Sequence, residues 1–326
     1  MIEATRRLAF EEIPMVDIGD LANNQRSDLC IESLRAACAD VGFFYIKSHG
    51  FPLSLITDLR RVSAEFFSLP MSRKMNFKIT PQIQGYLPLG YRSYEGEQRA
   101  GTSHQEGFWV GHERRIDPGN PLDGPNQWPP ESPEFQKIMR QYFEAAEDLA
   151  KTLMRGFSLA LGLNADHITH YFSRPLSRLK VNHYPPQDSP LSENNLGVVP
   201  HCDSGAFTIL WQDSIGGLEI QNKEGQWVGA PPIADTFVVN IGNIMEMWSN
   251  GRFSSTPHRV INVGNDNRYS IPLFVNPSAE VEIKPLVGDL DAFESFHYGT
   301  YQRDLWRNTF PVAQTFTRRC HWDFGL

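Results

Sequence analysis

The apolar positions of this chain fall into two regimes. In the first half they recur at three- and four-residue intervals, the spacing of one face of a helix. The segment from Asn24 to Asp40 reads this way, and so does "LSLITDLRRVSAEFFSL" (53–69), where Leu55, Leu59, Val62 and Phe66 share a face and Pro70 ends the run. The longest such pattern runs from Ser132 to Leu163, with Phe135, Ile138, Tyr142, Leu149, Leu153 and Phe157 as its apolar stripe. Between the first two helices, "GFFYIKSH" (42–49) reads as a strand of aromatic and β-branched residues.

From Leu179 onward the period drops to two. Strands are predicted at 179–185, 207–213, 218–222, 226–230, 236–242, 258–263 and 269–277, separated by turn formers such as "SIGG", "NKEG" and "GNDN". Short strands at this spacing predict a sandwich or barrel. Residues 76–130, rich in Gly and Pro, predict loop with short strands, and loops of that length in a compact protein are commonly functional or disordered. The tail from Phe293 to Asn308 is again helical in pattern. The expected organisation is a single compact unit: a helical and loop region over 1–130, a supporting long helix over 131–175, a β core over 176–280 and a helical tail over 281–326.

Composition narrows the partners. With 40% hydrophobic and 21% charged residues, long disorder is not expected. A formal net charge of −8 argues against nucleic acid and against an anionic membrane surface. No run of about 18 apolar residues exists to span a bilayer. Four cysteines without C-x-x-C spacing suggest neither a zinc knuckle nor a disulfide framework. A cytoplasmic protein is expected; the sequence leaves the oligomeric state open.

Three polar pairs interrupt the β region. In "VPHCDSGAFTIL" (199–210), His201 and Asp203 lie two apart, so on a strand they converge on one side while Cys202 turns away. Alone, such a pair reads as a solvated strand edge. His258, which opens a predicted strand in "STPHRVIN", offers a third ligand. Two imidazoles and one carboxylate leave three adjacent octahedral positions open, which suits non-haem Fe(II) and oxygen chemistry; zinc is the competing metal. Arg268 and Ser270, in "NRYSIPLF", repeat the two-residue relation, and a buried Arg with a hydroxyl beside it suits a carboxylate. In "VNHYPP", Asn182 and Tyr184 share a face suited to hydrogen-bonding an oxygen-rich small molecule, and His183 faces the other way. His167 and His170, at helical spacing in "DHITHYF", find no third partner nearby and read as structural or surface residues.

The order N-x-Y-P, H-x-D, distal His, R-x-S resembles the iron and 2-oxoglutarate-dependent oxygenases of the isopenicillin N synthase-like family. "IPMVDI" and "VGFFYIKSHG" are similar to that family's N-terminal region, "QGYLPLG" and "QEGFWVG" to its middle loops, and residues 179–277 to its catalytic core. The resemblance implies a mainly β protein, with a double-stranded β-helix (jelly-roll) core wrapped by N-terminal and C-terminal helices. It implies that His201, Asp203 and His258 bind Fe(II). It further implies that Arg268, Ser270 and Tyr184 hold the distal carboxylate of the cosubstrate 2-oxoglutarate, with Asn182 near its chelating end. The expected enzyme is a dioxygenase that uses O2 to oxidise an unactivated C–H bond of a small molecule, by hydroxylation or desaturation, releasing succinate and carbon dioxide. The alternative is a 2-oxoglutarate-independent Fe(II) oxidase or oxidative cyclase of the isopenicillin N synthase type, and a third reading is a binding module on the same fold. Two positions depart from the family pattern: His183 stands where many relatives have Tyr, and Gln105 where Lys is more usual. Tyr86, Glu106, Phe108, His183 and Phe274 are expected to contact the substrate, under a lid formed by "QGYLPLGY" and "HQEGFWVG".

Overall fold

The period-two region folds as two facing sheets. The computed structural model describes residues 13–90, 104–117, 120–186, 196–261 and 266–315. Its principal strands are β1 (Met15–Asp17), β2 (Phe43–Lys47), β3 (Gly85–Leu87), β4 (Glu106–Gly111), β5 (Arg178–Tyr184), β6 (Val198–His201), β7 (Phe207–Gln212), β8 (Leu218–Gln221), β9 (Trp227–Gly229), β10 (Phe237–Ile241), β11 (His258–Val260) and β12 (Arg268–Val275). The helices are α1 (Gly19–Ala22), α2 (Asp28–Asp40), α3 (Leu53–Phe67), α4 (Met71–Lys74), α5 (Pro133–Ala160), α6 (Asn243–Trp248) and α7 (Tyr298–Thr309). One sheet has eight strands in the order β1-β2-β10-β7-β12-β5-β4-β3, and the other has four, β6-β11-β8-β9. Apart from the parallel β1–β2 pair, these two sheets are antiparallel throughout. This is the jelly-roll core flanked by helices that the sequence led us to expect.

Strand alternation divides the larger sheet into two working faces. Leu179 and Val181 of β5, Phe108 and Val110 of β4, and Ile271, Leu273 and Val275 of β12 face outward into a core shared with α2, α3 and α5. Between the sheets lies a smaller apolar cluster that includes Tyr184, Val198, Leu218 and Val260. Burial of each large aliphatic or aromatic side chain contributes about 1.5–3 kcal/mol, so the outer core supplies most of the apolar stabilisation. The space between the sheets can therefore be given over to polar groups.

Local signals set the helices. Ser27 caps α2 by accepting a hydrogen bond from the Cys30 amide, at 3.4 Å. Pro133 opens α5, where its missing N–H costs nothing. At 28 residues, α5 extends about 42 Å, and it buries the whole predicted stripe from Phe135 to Phe157. The helix packs closely on α1 and α2 at Gly156, where a Cβ would lie 2.7 Å from Leu34 Cδ1 and 3.0 Å from Leu21 Cδ1, so Leu34 would have to shift. The inward face of α3 is rotated from the expected one. Ile56 is buried and Leu55 only half-buried, because α3 also presents Phe66 and Phe67 to the sheet, with Phe66 stacked on Phe135 of α5 at 5.2 Å. Among the described residues no helix is long and apolar enough to cross a membrane. The first twelve residues and part of the Gly/Pro-rich stretch (91–103) lie outside the described residues, as does the end of the strand expected at 258–263.

Candidate active site

β6 and β11 pair so that His201 stands directly opposite His258, their ring centroids 4.2 Å apart. The chain leaves the ladder after His201, so Asp203 is presented by the following turn and not, as the H-x-D spacing alone suggests, by the strand itself. That turn is fixed against the start of α6, where the Asn243 amide donates to Asp203 O at 2.8 Å and the Ile244 amide to Gly205 O at 3.0 Å. Approaches this close, one of them to backbone, leave no room for side chains. A Cβ on Gly242 would lie 2.3 Å from Gly205 O, and one on Gly205 would lie 2.1 Å from Asn276 Oδ1.

The three side chains converge. Asp203 Oδ1 lies 3.6 Å from His201 Nε2 and 3.9 Å from His258 Nε2, and one donor atom from each residue falls within 4.8 Å of the others. All three are oriented from behind. His201 Nδ1 is 2.9 Å from Val199 O and His258 Nδ1 is 3.3 Å from Thr256 O. Donation to these carbonyls leaves each Nε2 lone pair turned to the common point. Asp203 Oδ2 accepts from Thr208 Oγ1 at 2.5 Å and from Asn240 Nδ2 at 2.7 Å, which leaves Oδ1 for the same point. Burial opposes ionisation of Asp203. Electrostatic attraction from the neighbouring His258 and His201 and the bonds from Asn240 and Thr208 outweigh it and hold the carboxyl below its ordinary range. Two imidazole nitrogens and one carboxylate oxygen so arranged fit a divalent first-row metal with bonds of about 2 Å. Cys202 turns away, its thiol 3.7 Å from Ser255 O.

At the other end of the same inter-sheet cavity lie the two remaining motifs. In the β5–β12 ladder, Arg268 opposes Tyr184 and Ser270 opposes Asn182. All four line the cavity together with the three converging residues. Arg268 is 2% exposed. Its Nε donates to Gly216 O and its guanidinium carbon sits 4.5 Å from the Tyr184 ring centre. Its Nη1 has no partner among the described residues, and neither has Asn182 Oδ1. Asn182 Nδ2 donates to Ser270 Oγ at 3.1 Å. An unpaired buried guanidinium N–H fits an absent anion.

A second cavity of about 160 Å³ meets the first at His201, Asp203, Thr208 and Phe274. Phe274, expected to contact substrate, lines both. Tyr86, Glu106, Phe108 and His183 line neither, because alternation turns them to the outer face of the sheet. Glu106 there accepts from Lys74 Nζ at 2.7 Å and from the Tyr86 hydroxyl, and lies 2.8 Å from His183 Nδ1. His183 is stacked between Phe67 and Tyr269, at centroid distances of 5.2 and 4.9 Å, and Phe108 packs on Phe66 and Phe135. The residues of this segment that do face the cavities are Gln105 and Trp109. From β5 come Arg178 and Lys180, from α7 come Gln302, Trp306 and Thr309, and from the residue just after it Phe310. The α7 contribution carries no local signature beyond helical spacing. The segment 104–111, expected to form part of a lid, supplies Gln105 and Trp109 to the cavity walls, and α7 adds a further part of the second cavity's wall. A larger cavity, about 510 Å³ between Asp40, Asn222 and Thr256, touches none of the three converging residues.

Comparison with known proteins matches this geometry to a family. Residues 175–277 match the 2OG-Fe(II) oxygenase superfamily, and residues 13–131 match the family described as non-haem dioxygenase in morphine synthesis N-terminal. A homoarginine-6-hydroxylase of Glycine max is 33% identical over 303 residues, covering 85% of this chain and 89% of that protein. A full-length Neurospora crassa protein crystallised in complex with alpha-KG and thymine is similar at a TM-score of 0.79 and 27% identity, covering 93% of this chain and 97% of that one. JOX2 in complex with 2OG, Fe and JA is similar at a TM-score of 0.76 and 27% identity, covering 93% and 88%.

Proposed function

The chain belongs to the 2OG-Fe(II) oxygenase superfamily, and from that premise we propose that His201, Asp203 and His258 hold the iron while Arg268 and Ser270 hold the distal carboxylate of 2-oxoglutarate. The enzyme is an oxidoreductase that acts on a small molecule with iron, 2-oxoglutarate and dioxygen. Once bound, the iron with its cosubstrate supplies the oxidising chemistry and yields succinate and carbon dioxide.

The chain's own residues supply placement. The Val199 and Thr256 carbonyls fix both imidazoles in the tautomer whose Nε2 lone pair is turned to the common point. Thr208 and Asn240 keep the Asp203 carboxylate ionised and aimed. Arg268 meets the cosubstrate as a charged fork, with Ser270 beside it and Tyr184 beneath, while Asn182 stands nearer the iron end. Phe274, Trp306 and Phe310 exclude water from the second cavity, where the C–H bond to be oxidised is held. The observation that carries the reading is one cavity with a convergent His-Asp-His cluster at one end and a buried guanidinium with an unpaired N–H at the other. That guanidinium favours a cosubstrate dicarboxylate over the oxidase reading, because it is separate from the second cavity.

The reaction is hydroxylation or desaturation. Screening small molecules for stimulated consumption of 2-oxoglutarate, followed by product mass, tests this. A gain of one oxygen or a loss of two hydrogens, with one succinate per turnover, is expected. Substrate oxidation without succinate would transfer the chain to the oxidase alternative.

A further inference from the structure

Strand β4 gives up two side chains on its cavity face, and two cations from β5 fill the space. Gly111 opposes Arg178 in the ladder, and a Cβ there would lie 2.7 Å from Arg178 Nη1 and 2.9 Å from its Cζ. A Cβ on Gly107 would lie 2.5 Å from Lys180 Cε. Between the glycines, Trp109 carries the Lys180 ammonium 5.1 Å from its ring centre. The sequence E-G-F-W-V-G is therefore built to seat positive charge on the face turned to the cavities.

Arg178 is 3% exposed and lines the cavity that meets Asp203. Its Nη1 donates to the Leu176 and Ser177 carbonyls at 3.2 and 3.1 Å, and its Nη2 to those of Gln82 and Leu122 at 3.1 and 2.9 Å. Its Nε–H has no acceptor among the described residues. Desolvation pulls this guanidinium down to about 10, Arg114 adds repulsion, and Asp123 and Tyr298 offset part of it. It stays a cation at neutral pH. Carbonyl dipoles hold it in place but do not neutralise it.

Among the described residues lining the two cavities, Asp203 is the sole carboxylate, and its charge is engaged with the two histidines. The second cavity has an aromatic side, where Trp109 stacks on Phe274 at 5.4 Å and Trp306 and Phe310 come from the α7 side, and an uncharged polar side made of Ser204, Asn276, Gln302 and Thr309. A cation entering this space meets Arg178 and Lys180 in a low-dielectric setting without a counter-charge of its own. An anion completes the donor set of Arg178.

We propose that the substrate is a compact organic acid with a flat apolar body, its ring held among Trp109, Phe274, Trp306 and Phe310 and its carboxylate directed to the Nε–H of Arg178. This inference rests on the oxygenase reading of the site. The 160 Å³ cavity sets the scale at one ring with a short acid arm.

The test uses protein loaded with Fe(II) and saturating 2-oxoglutarate under anaerobic conditions, so that Arg268 is already engaged. Phenylacetate, phenylacetamide and phenethylamine present one ring with an anion, a neutral amide and a cation, and isothermal titration ranks them. The acid should bind about tenfold or more tighter than the amide, with no saturable binding of the amine. Arg178→Gln should erase the acid's advantage. Because that variant also frees four carbonyls, Gly111→Ala gives a second route: its methyl displaces the guanidinium without deleting it and should produce the same loss. Amine binding equal to that of the acid, absence of acid binding, or an acid preference that survives in a folded variant of either kind would overturn the proposal. The visible charge-transfer band of the Fe(II)–2-oxoglutarate complex, recorded on the same samples, separates the two levels. If the band is present while the ranking fails, the substrate inference alone falls; if the band is absent, the oxygenase reading of the site falls with it.

Discussion

Arg268 stands directly across the ladder from Tyr184, its guanidinium carbon 4.5 Å from the ring centre and its Nη1 without a partner among the described residues. The ring's face steadies the cation while leaving donors for a carboxylate. Arg268→Met should weaken 2-oxoglutarate binding on the order of 30-fold or more, since truncating one partner of a buried charge pair costs about 2 kcal/mol or more. Titration of the Fe(II) protein with 2-oxoglutarate measures this. Affinity for Fe(II) itself should be unchanged.

Thr208 and Asn240 both bond Asp203 Oδ2, so their removal should loosen the metal without touching a ligand. Thr208→Val and Asn240→Ala should each lower Fe(II) affinity by about 10- to 100-fold, measured by competition with a chelator. Unchanged affinity in both would mean that the carboxylate is oriented by the turn alone.

Cys202 lies between two of the proposed ligands in sequence, yet its thiol is turned to the Ser255 carbonyl. Cys202→Ala should keep Fe(II) affinity within about twofold, because small-residue replacement of a thiol engaged elsewhere removes no ligand. A large loss of metal would place sulfur in the coordination sphere.

Glu106 supplies a pH dependence of stability. Burial raises its pKa, but bonds from His183, Lys74 and Tyr86 and the Lys74 charge outweigh burial, so the folded-state value lies below the ordinary one. A carboxylate depressed on folding contributes stability that is fully present above its unfolded pKa and is lost as pH falls through the folded value. Thermal stability should therefore drop as the medium is acidified below the ordinary carboxylate range. Glu106→Gln should be destabilised at neutral pH and show a shallower acid limb, which a melting series against pH reads directly.

Alternation made half of this site legible in the sequence. On β5, residues 182 and 184 had to share a face, and on β12 residues 268 and 270 did; that the two pairs meet across one ladder comes from the structure. The facing of β4 was hidden. Gly107 and Gly111 leave its cavity side almost without side chains, so the visible pattern of Glu106, Phe108 and Val110 marks the outer face, where Phe108 packs against Phe66 of α3 and Phe135 of α5. Gln302, Trp306 and Phe310 could not be found from the sequence either. Their place in the wall depends on where α7 docks, a long-range event that a helical period does not encode. Asp203 shows a milder case, since its turn is set by backbone bonds to α6, 40 residues downstream in the chain at Asn243.

Iron held by His201, Asp203 and His258 must share its cavity with 2-oxoglutarate held by Arg268. Anaerobic titration of the Fe(II)-loaded protein with 2-oxoglutarate probes both at once, because a visible metal-to-ligand charge-transfer band forms only when the keto acid chelates the iron. A saturable band is expected in the native protein, none in Asp203→Ala, and in Arg268→Met a band that needs far more 2-oxoglutarate. No band in the native protein, or an undiminished band in Asp203→Ala, would contradict this assignment.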